Sequence, residues 1–282
     1  MVENRPFLAF LTHLVLIAGV VVVVFPVYLA FIASTHSNGD FMRGLVPMLP
    51  GPHLLENYSH MLNEGLTTSG APPLWVMLSN SFIIAIIIAV GKIAISIISA
   101  FAIVFFRFPF RLIAFWLIFI TLMLPVEVRI MPTFKVVADL GLLNSFAGLT
   151  IPLIASATAT FLFRQFFLTV PDELMEAARV DGAGAMKFFR DILLPLSRTN
   201  IAALFVILFI YGWVQYLWPL LVTTDSRYYT IVMGIKRLAA TADAEPLWHY
   251  VMTAVMLAML PPVLVVILMQ RLFVKGLVET EK

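Results

Sequence analysis

The sequence contains no cysteine. That excludes disulfides and thiolate metal sites within this chain. Charge is scarce too: Asp, Glu, Lys and Arg make up 12% of the 282 residues, against about 25% in a typical soluble domain. The formal net charge of +2 is too small to point to nucleic acid. No G-x-x-x-x-G-K-S/T run is present, and the one Gly-Lys pair, Gly91-Lys92, continues into Ile93 inside an apolar segment. No Ser/His/Asp set and no carboxylate pair falls at a plausible shared site, so nothing points to catalysis by this chain. What is abundant is apolar: 61% of the residues are hydrophobic. No soluble core could hide that much apolar surface, so the fold class is an all-α integral membrane protein.

A spanning helix needs about 20 apolar residues. On that measure the chain reads as six spans, at about 11–33, 78–106, 112–132, 149–168, 200–222 and 250–273, in one transmembrane domain over 1–282. A cleaved signal peptide is the alternative for the first. Its apolar run exceeds the usual 7–15 residues, and Phe31 spoils a small-residue cleavage pattern at Ala33. The third span is expected to break over 126–133, where Glu127, Arg129 and Pro132 interrupt it, and Pro261-Pro262 is expected to kink the sixth. His36, His53 and His60 lie in the polar stretch 34–73, at spacings that match no metal-ligand motif, and are read as loop histidines.

One stretch departs from this oily background. Residues 169–195, TVPDELMEAARVDGAGAMKFFRDILLP, hold the acidic Asp172, Glu173, Glu176, Asp181 and Asp191 and the basic Arg179, Lys187 and Arg190. Thr169 can cap a helix, Pro171 suits a first turn, and Asp172 and Glu173 sit where the helix dipole favours negative charge. Asp181-Gly182 reads as a stop, because Gly tolerates the left-handed conformation that ends a helix. Ala185, Phe188, Phe189, Ile192 and Leu193 then continue at helical spacing until Pro195. The expectation is helix, tight turn, helix, outside the membrane. Ser197 or Thr199 is placed to cap the fifth span, and 223–248 is expected to be a second polar loop.

Six spans put both termini on one side. Eleven of the 18 Lys and Arg fall on that side, including all those in 169–195; six fall opposite, and Lys92 lies within a span. Positive residues favour the cytoplasm, so both termini and the 169–195 stretch are expected to face it.

The spacing within that stretch is specific. Glu176-Ala177-Ala178, Gly182, Ile192 and Leu194-Pro195 match E-A-A-x3-G-x9-I-x-L-P at every fixed position, with Asp181 before the Gly. This resembles the signature of ABC-importer permeases of the maltose-type, binding-protein-dependent family. The resemblance covers essentially the whole chain, including FWLIFITLMLPVEVRIMPT, ATATFLFRQFF and YGWVQYLWPL. Within that family the chain resembles the permease subunits of bacterial sn-glycerol-3-phosphate importers. It implies a type I importer permease fold in which 169–195 is a coupling helix pair seated on a separate ATPase. The coupling residues so implied are Glu176, Ala177, Ala178, Asp181, Gly182, Ile192, Leu194 and Pro195. It also implies a second, different permease subunit, two copies of an ATP-binding subunit that hold the ATP and Mg, and a periplasmic binding protein. No cofactor is expected on this chain. The expected location is the bacterial inner membrane. Val214 departs from the family, which commonly has Asn after the Trp, so no polar role is carried over to that position.

Two other functions fit less well. A permease for a neutral sugar would share most of these residues. A stand-alone secondary transporter or channel would need its own ionisable relay, and Lys92 is the one charge deep in a span. Lys92 invites a reading as a pathway residue that attracts phosphate. Pairing with a partner's carboxylate and snorkelling are the plainer alternatives. Trp213, Gln215 and Tyr216, with Trp218, are candidates to line the pathway or to anchor the helix at the interface.

Overall fold

The structure is a computed structural model, and it describes residues 6–41, 48–65, 70–240 and 246–278. Arg5, Arg43, Asp243, Glu245 and Lys282 therefore lie outside the described residues. Every regular element among the described residues is helical. In chain order they are α1 (Pro6–Ser34), α2 (Asn38–Phe41), α3 (Leu54–Asn63), α4 (Leu74–Phe105) and α5 (Arg111–Ile120). Then come α6 (Val126–Asp139), α7 (Phe146–Thr150), α8 (Ala157–Phe167), α9 (Asp172–Val180) and α10 (Ala185–Phe188). The last are α11 (Leu194–Leu196), α12 (Arg198–Trp213), α13 (Leu217–Val222), α14 (Ile231–Ala239) and α15 (Trp248–Val278).

By length and composition, Phe10–Ser34, Leu74–Phe105 and Trp248–Gln270 can each cross a membrane. The count rises to five if two bent pairs each make one span. One pair joins Phe146–Leu153 to Ala157–Phe167 at 46°; the other joins Ala185–Leu196 to Arg198–Trp213 at 71°. The expected span at 149–168 is thus an interrupted helix, and the one at 200–222 is interrupted too, at residues 214–216 rather than at the 71° bend, which falls at Ser197. In the first, a 3-10 turn at Ile151–Leu153 contains Pro152, which has no N–H to continue an α ladder, and Ser156 restarts the helix by accepting the Ala159 N–H at 3.3 Å. In the second, the helix stops at Trp213 and resumes at Leu217.

The expected break over 126–133 is corrected. The apolar helix α5 ends at Ile120, a 3-10 turn covers Thr121–Met123, and the extended Pro125 precedes a new helix. Residues 126–133 are helical, with Pro132 inside α6. The interruption lies upstream because Pro125, without an N–H, suits the start of a helix better than its interior. The expected loop at 223–248 likewise contains α14, and α15 runs through both Pro261 and Pro262.

The chain divides into two compact units. In the first (Met1–Trp75 and Gly234–Met259), the end of α1 is tied to α3. The Asn57 amide donates to the carbonyls of Ser34 and His36, both at 2.9 Å, and the Gly51 N–H donates to Thr35 Oγ1 at 2.7 Å. Each histidine of this stretch faces its own partner: His36 the Leu49 carbonyl, His53 the Glu56 carboxylate, His60 that of Glu64.

The second unit (Val76–Met233 and Leu260–Lys282) carries the residues of interest. Along α4, Ser81, Ile84, Ala85, Ile88, Ala89, Lys92, Ile93, Ser96, Ile97 and Ala100 are buried. That is one stripe at helical period, facing protein. Phe82, Ile83, Ile87, Val90, Ile95 and Ile98 form the exposed apolar face. Gly212 of α12 packs against α4 so closely that a Cβ there would lie 2.8 Å from Ala85 Cα. Small residues at such crossings let membrane helices approach.

Candidate functional site: the coupling helix pair and a buried lysine

The helix pair over 169–195 is built on a tightly ended helix. α9 presents Asp172 and Glu173 in its first turn and Arg179 in its last, each sign where the helix dipole favours it. Pro171 is the capping residue and makes no side-chain cap; the Thr169 hydroxyl instead donates back to the Phe166 carbonyl at 2.7 Å. The cap expected from Thr169 is therefore not made, because that side chain terminates the preceding helix. At the other end Gly182 adopts φ 71°, its N–H donates to Arg179, and the Ala183 N–H donates to Ala178 at 2.8 Å. This pair of bonds is a Schellman cap, and it satisfies carbonyls that a helix end leaves orphaned.

The second half of the pair roots the motif in the bundle. Phe188, Phe189 and Leu193 are buried; Ile192 is half-buried. The Phe189 ring packs on Phe101 at 4.8 Å, and Phe188 meets Phe105 edge-on at 5.4 Å. Phe105 in turn meets Phe167. The ends of α4 and α8 are thereby stitched to the coupling pair by ring contacts, each worth about 0.5–1.5 kcal/mol beyond area burial. Residues 189–193 form a π-helical turn between α10 and α11. Pro195 sits inside α11, and the chain turns at Ser197, whose hydroxyl donates to Leu193 at 2.6 Å and does not cap α12.

The motif residues split by exposure. Ala178 is buried against the bundle, while Glu176, Ala177, Asp181 and Gly182 are exposed. Among the described residues Glu176 has no ion pair. A recess of about 1040 Å³ separates α9 from the end of α4. Its walls include Phe101, Phe105, Phe167 and Phe188, with Arg107, Arg111, Asp172, Glu176 and Arg179 around them.

The pathway candidates are less unified. Lys92 is 7% exposed and lies in the protein-facing stripe of α4. Snorkelling out along lipid is thus excluded by its position. Its ammonium sits 3.9 Å from the centroid of the Tyr211 ring on α12. Tyr211 was not among the residues singled out in the sequence; a lone Tyr in an apolar span carries no signal. Gln215 is half-buried and donates to the Tyr211 carbonyl at 3.0 Å. Tyr216 is half-buried where α13 begins. Trp213 is buried and stacks on Phe209 at 5.9 Å, in a row that includes Phe205. Trp218 is buried too, its indole donating to the Gly148 carbonyl at 3.1 Å. Val214 is exposed. Glu127 is helical, and its side chain lies outside the described residues.

Comparison with known proteins decides the family. The model for "Binding-protein-dependent transport system inner membrane component" matches residues 81–279. The chain belongs to that family of importer permeases. This permease is 62% identical to the sn-glycerol-3-phosphate transport system permease protein UgpE of Agrobacterium fabrum, and 57% identical to that of Yersinia pestis bv. Antiqua. Both alignments run over 282 residues and cover 100% of each chain. A chain of a bacterial ABC transporter involved in the import of the acidic polysaccharide alginate, known from its crystal structure, superposes with TM-score 0.82. It covers 96% of the permease and 98% of that chain at 19% identity, a likeness of fold alone. The permease is thus a multi-pass membrane protein with the type I importer fold, and its family works with partner subunits.

Proposed function

We propose that this permease is one of two different membrane subunits of an importer that carries sn-glycerol-3-phosphate into the cell, the chain crossing the membrane six times. A periplasmic binding protein delivers the substrate, and two copies of a separate ATPase hydrolyse ATP with Mg. The observation that carries the substrate is full-length identity of 62% and 57% to permeases of that name. Both termini and the 169–195 pair face the cytoplasm, where exposed Glu176, Ala177, Asp181 and Gly182 meet the ATPase. Ile192, Leu194 and Pro195 belong to the half of the pair that fixes it beneath the spans. Lys92 supplies positive charge to the pathway, and Gln215 and Tyr216 supply hydrogen-bond donors. Trp213 supports the same helix from its packed side. An anion crossing a low-dielectric barrier needs such charge and donors.

The test uses the assembled importer in liposomes. ATP hydrolysis is measured with binding protein loaded by sn-glycerol-3-phosphate or by a neutral disaccharide. Stimulation by the phosphate ester, with transport, is expected. Stimulation by the disaccharide alone would make this a neutral-sugar permease. Transport by the isolated chain, with no ATPase, would make it a secondary transporter.

A further inference from the structure

The buried stripe of α4 contains four polar side chains: Asn80, Ser81, Lys92 and Ser96. Three end on hydrogen-bond partners. The Asn80 amide donates to the carbonyls of Arg227 and Tyr229, Ser81 Oγ accepts the Ile231 N–H, and Ser96 Oγ donates to the Ser156 carbonyl. Lys92 has no ion pair or hydrogen bond to a described residue; it meets the face of Tyr211. A ring face is a weak partner for an ammonium group compared with a carboxylate, and its attraction depends on the ring rather than the hydroxyl.

The register of that contact is set by packing. Gly212, next to Tyr211, lies against Ala85, about two turns towards the start of α4 from Lys92. Side chains on a helix lean towards its N-terminus, so Lys92 reaches back towards this crossing. Its ammonium group then arrives under Tyr211. A carboxylate there would compete with any anion for Lys92. A ring attracts the cation, yet yields to a phosphate.

Building on the reading of Lys92 as a pathway charge, we propose that Tyr211 is its positioning residue: the ring holds and covers the ammonium group until a substrate phosphate takes the ring's place. Tyr211 acts through Lys92 and need not touch the substrate.

The test is transport of labelled sn-glycerol-3-phosphate by the complete importer in liposomes, at saturating loaded binding protein. The variants are Lys92→Met, Tyr211→Phe, Tyr211→Leu and the double variant Lys92→Met/Tyr211→Leu. Tyr211→Phe is expected to keep transport, because it keeps the ring. Tyr211→Leu is expected to lower the maximal rate about 5- to 10-fold. Lys92→Met is expected to lower it at least as far, and the double variant no further, since the ring then has nothing to hold. If Tyr211→Leu costs the same factor with Met at position 92, the ring is mere packing and the inference falls. It falls equally if Lys92→Met fails while Tyr211→Leu transports normally. If Lys92→Met itself transports normally, the pathway reading of Lys92 falls and takes this one with it. Should Tyr211→Leu not assemble, Tyr211→Met, longer and more adaptable at nearly the same volume and also without a ring, carries the same comparison.

Discussion

The N–H of Ala183 donates to the carbonyl of Ala178 at 2.8 Å, and the chain between them passes through Gly182 at φ 71°. Ala178 is buried and Gly182 is exposed, so this bond links the side of the helix pair anchored in the bundle to its exposed side. The reversal exposes the Glu176–Gly182 surface while Phe188 and Phe189 stay in the bundle.

Gly182 should tolerate little. A Cβ there would meet nothing within 4 Å, so the cost is conformational rather than steric crowding. For an ordinary residue in the left-handed region that cost is about 1–2 kcal/mol, and a β-branched residue is worse placed. Gly182→Val should lower ATP hydrolysis stimulated by loaded binding protein, and Gly182→Asn should lower it less, because Asn visits that region more readily. Equal activity in all three would show that the turn is not required.

Glu176 is exposed and has no ion pair within the described residues. Glu176→Lys should therefore leave the thermal midpoint of the purified permease nearly unchanged. It should instead reduce the amount of ATPase that co-purifies. Full recovery of ATPase, with hydrolysis still responding to loaded binding protein, would remove the docking role of that carboxylate.

The crossing of α4 and α12 depends on Gly212. Its added Cβ would lie 2.8 Å from a backbone atom, Ala85 Cα, which no rotamer change can move. Gly212→Ala should cost about 1–3 kcal/mol by overpacking. On soluble-protein scaling that lowers the thermal midpoint by roughly 2–4 °C per kcal/mol. Gly19→Ala is the control, since nothing lies within 4 Å of its Cβ. An unchanged midpoint for Gly212→Ala would mean that the helices separate freely there.

Orientation can be read with single cysteines, because the native chain has none. Leu55 is 80% exposed on α3, and Val180 is 87% exposed on α9. Leu55→Cys should react with an impermeant thiol reagent added outside intact cells. Val180→Cys should react only after permeabilisation. Labelling in the opposite order would invert the topology and remove the coupling pair from the ATPase side.

Several of these features were legible in the chain itself because they are local. Long apolar runs predict α1, α4 and α15 from the need to bury backbone and side chains away from water. Asp181-Gly182 announces its own turn, since only a residue without a Cβ enters that backbone region cheaply. The helix signals within 169–195 place a helix, a turn and a second helix there before any contact is known. The prolines were legible as breaks but not as positions: Pro125 starts a helix, Pro132 lies within one, and Pro152 sits in the bend between α7 and α8. Capping failed in the same way. Thr169 and Ser197 can bond either forwards or backwards, and both turn back to close the preceding helical turn.

The sequence alone determined that this chain is a membrane protein, where its charged helix–turn–helix stretch lies, and that Lys92 is an expensive charge within a span, costing about 2.5–3.5 kcal/mol at a span centre on insertion scales. The tertiary structure decided what that charge meets. Lys92 and Tyr211 are far apart in the chain and on different helices, and neither advertises the other in composition or period. Their contact exists because Gly212 lets α12 lie against Ala85, and because the buried stripe of α4 turns Lys92 inward. Local chemistry can be read one residue at a time. A cation over a ring depends on the distance and register between two helices, which only packing sets.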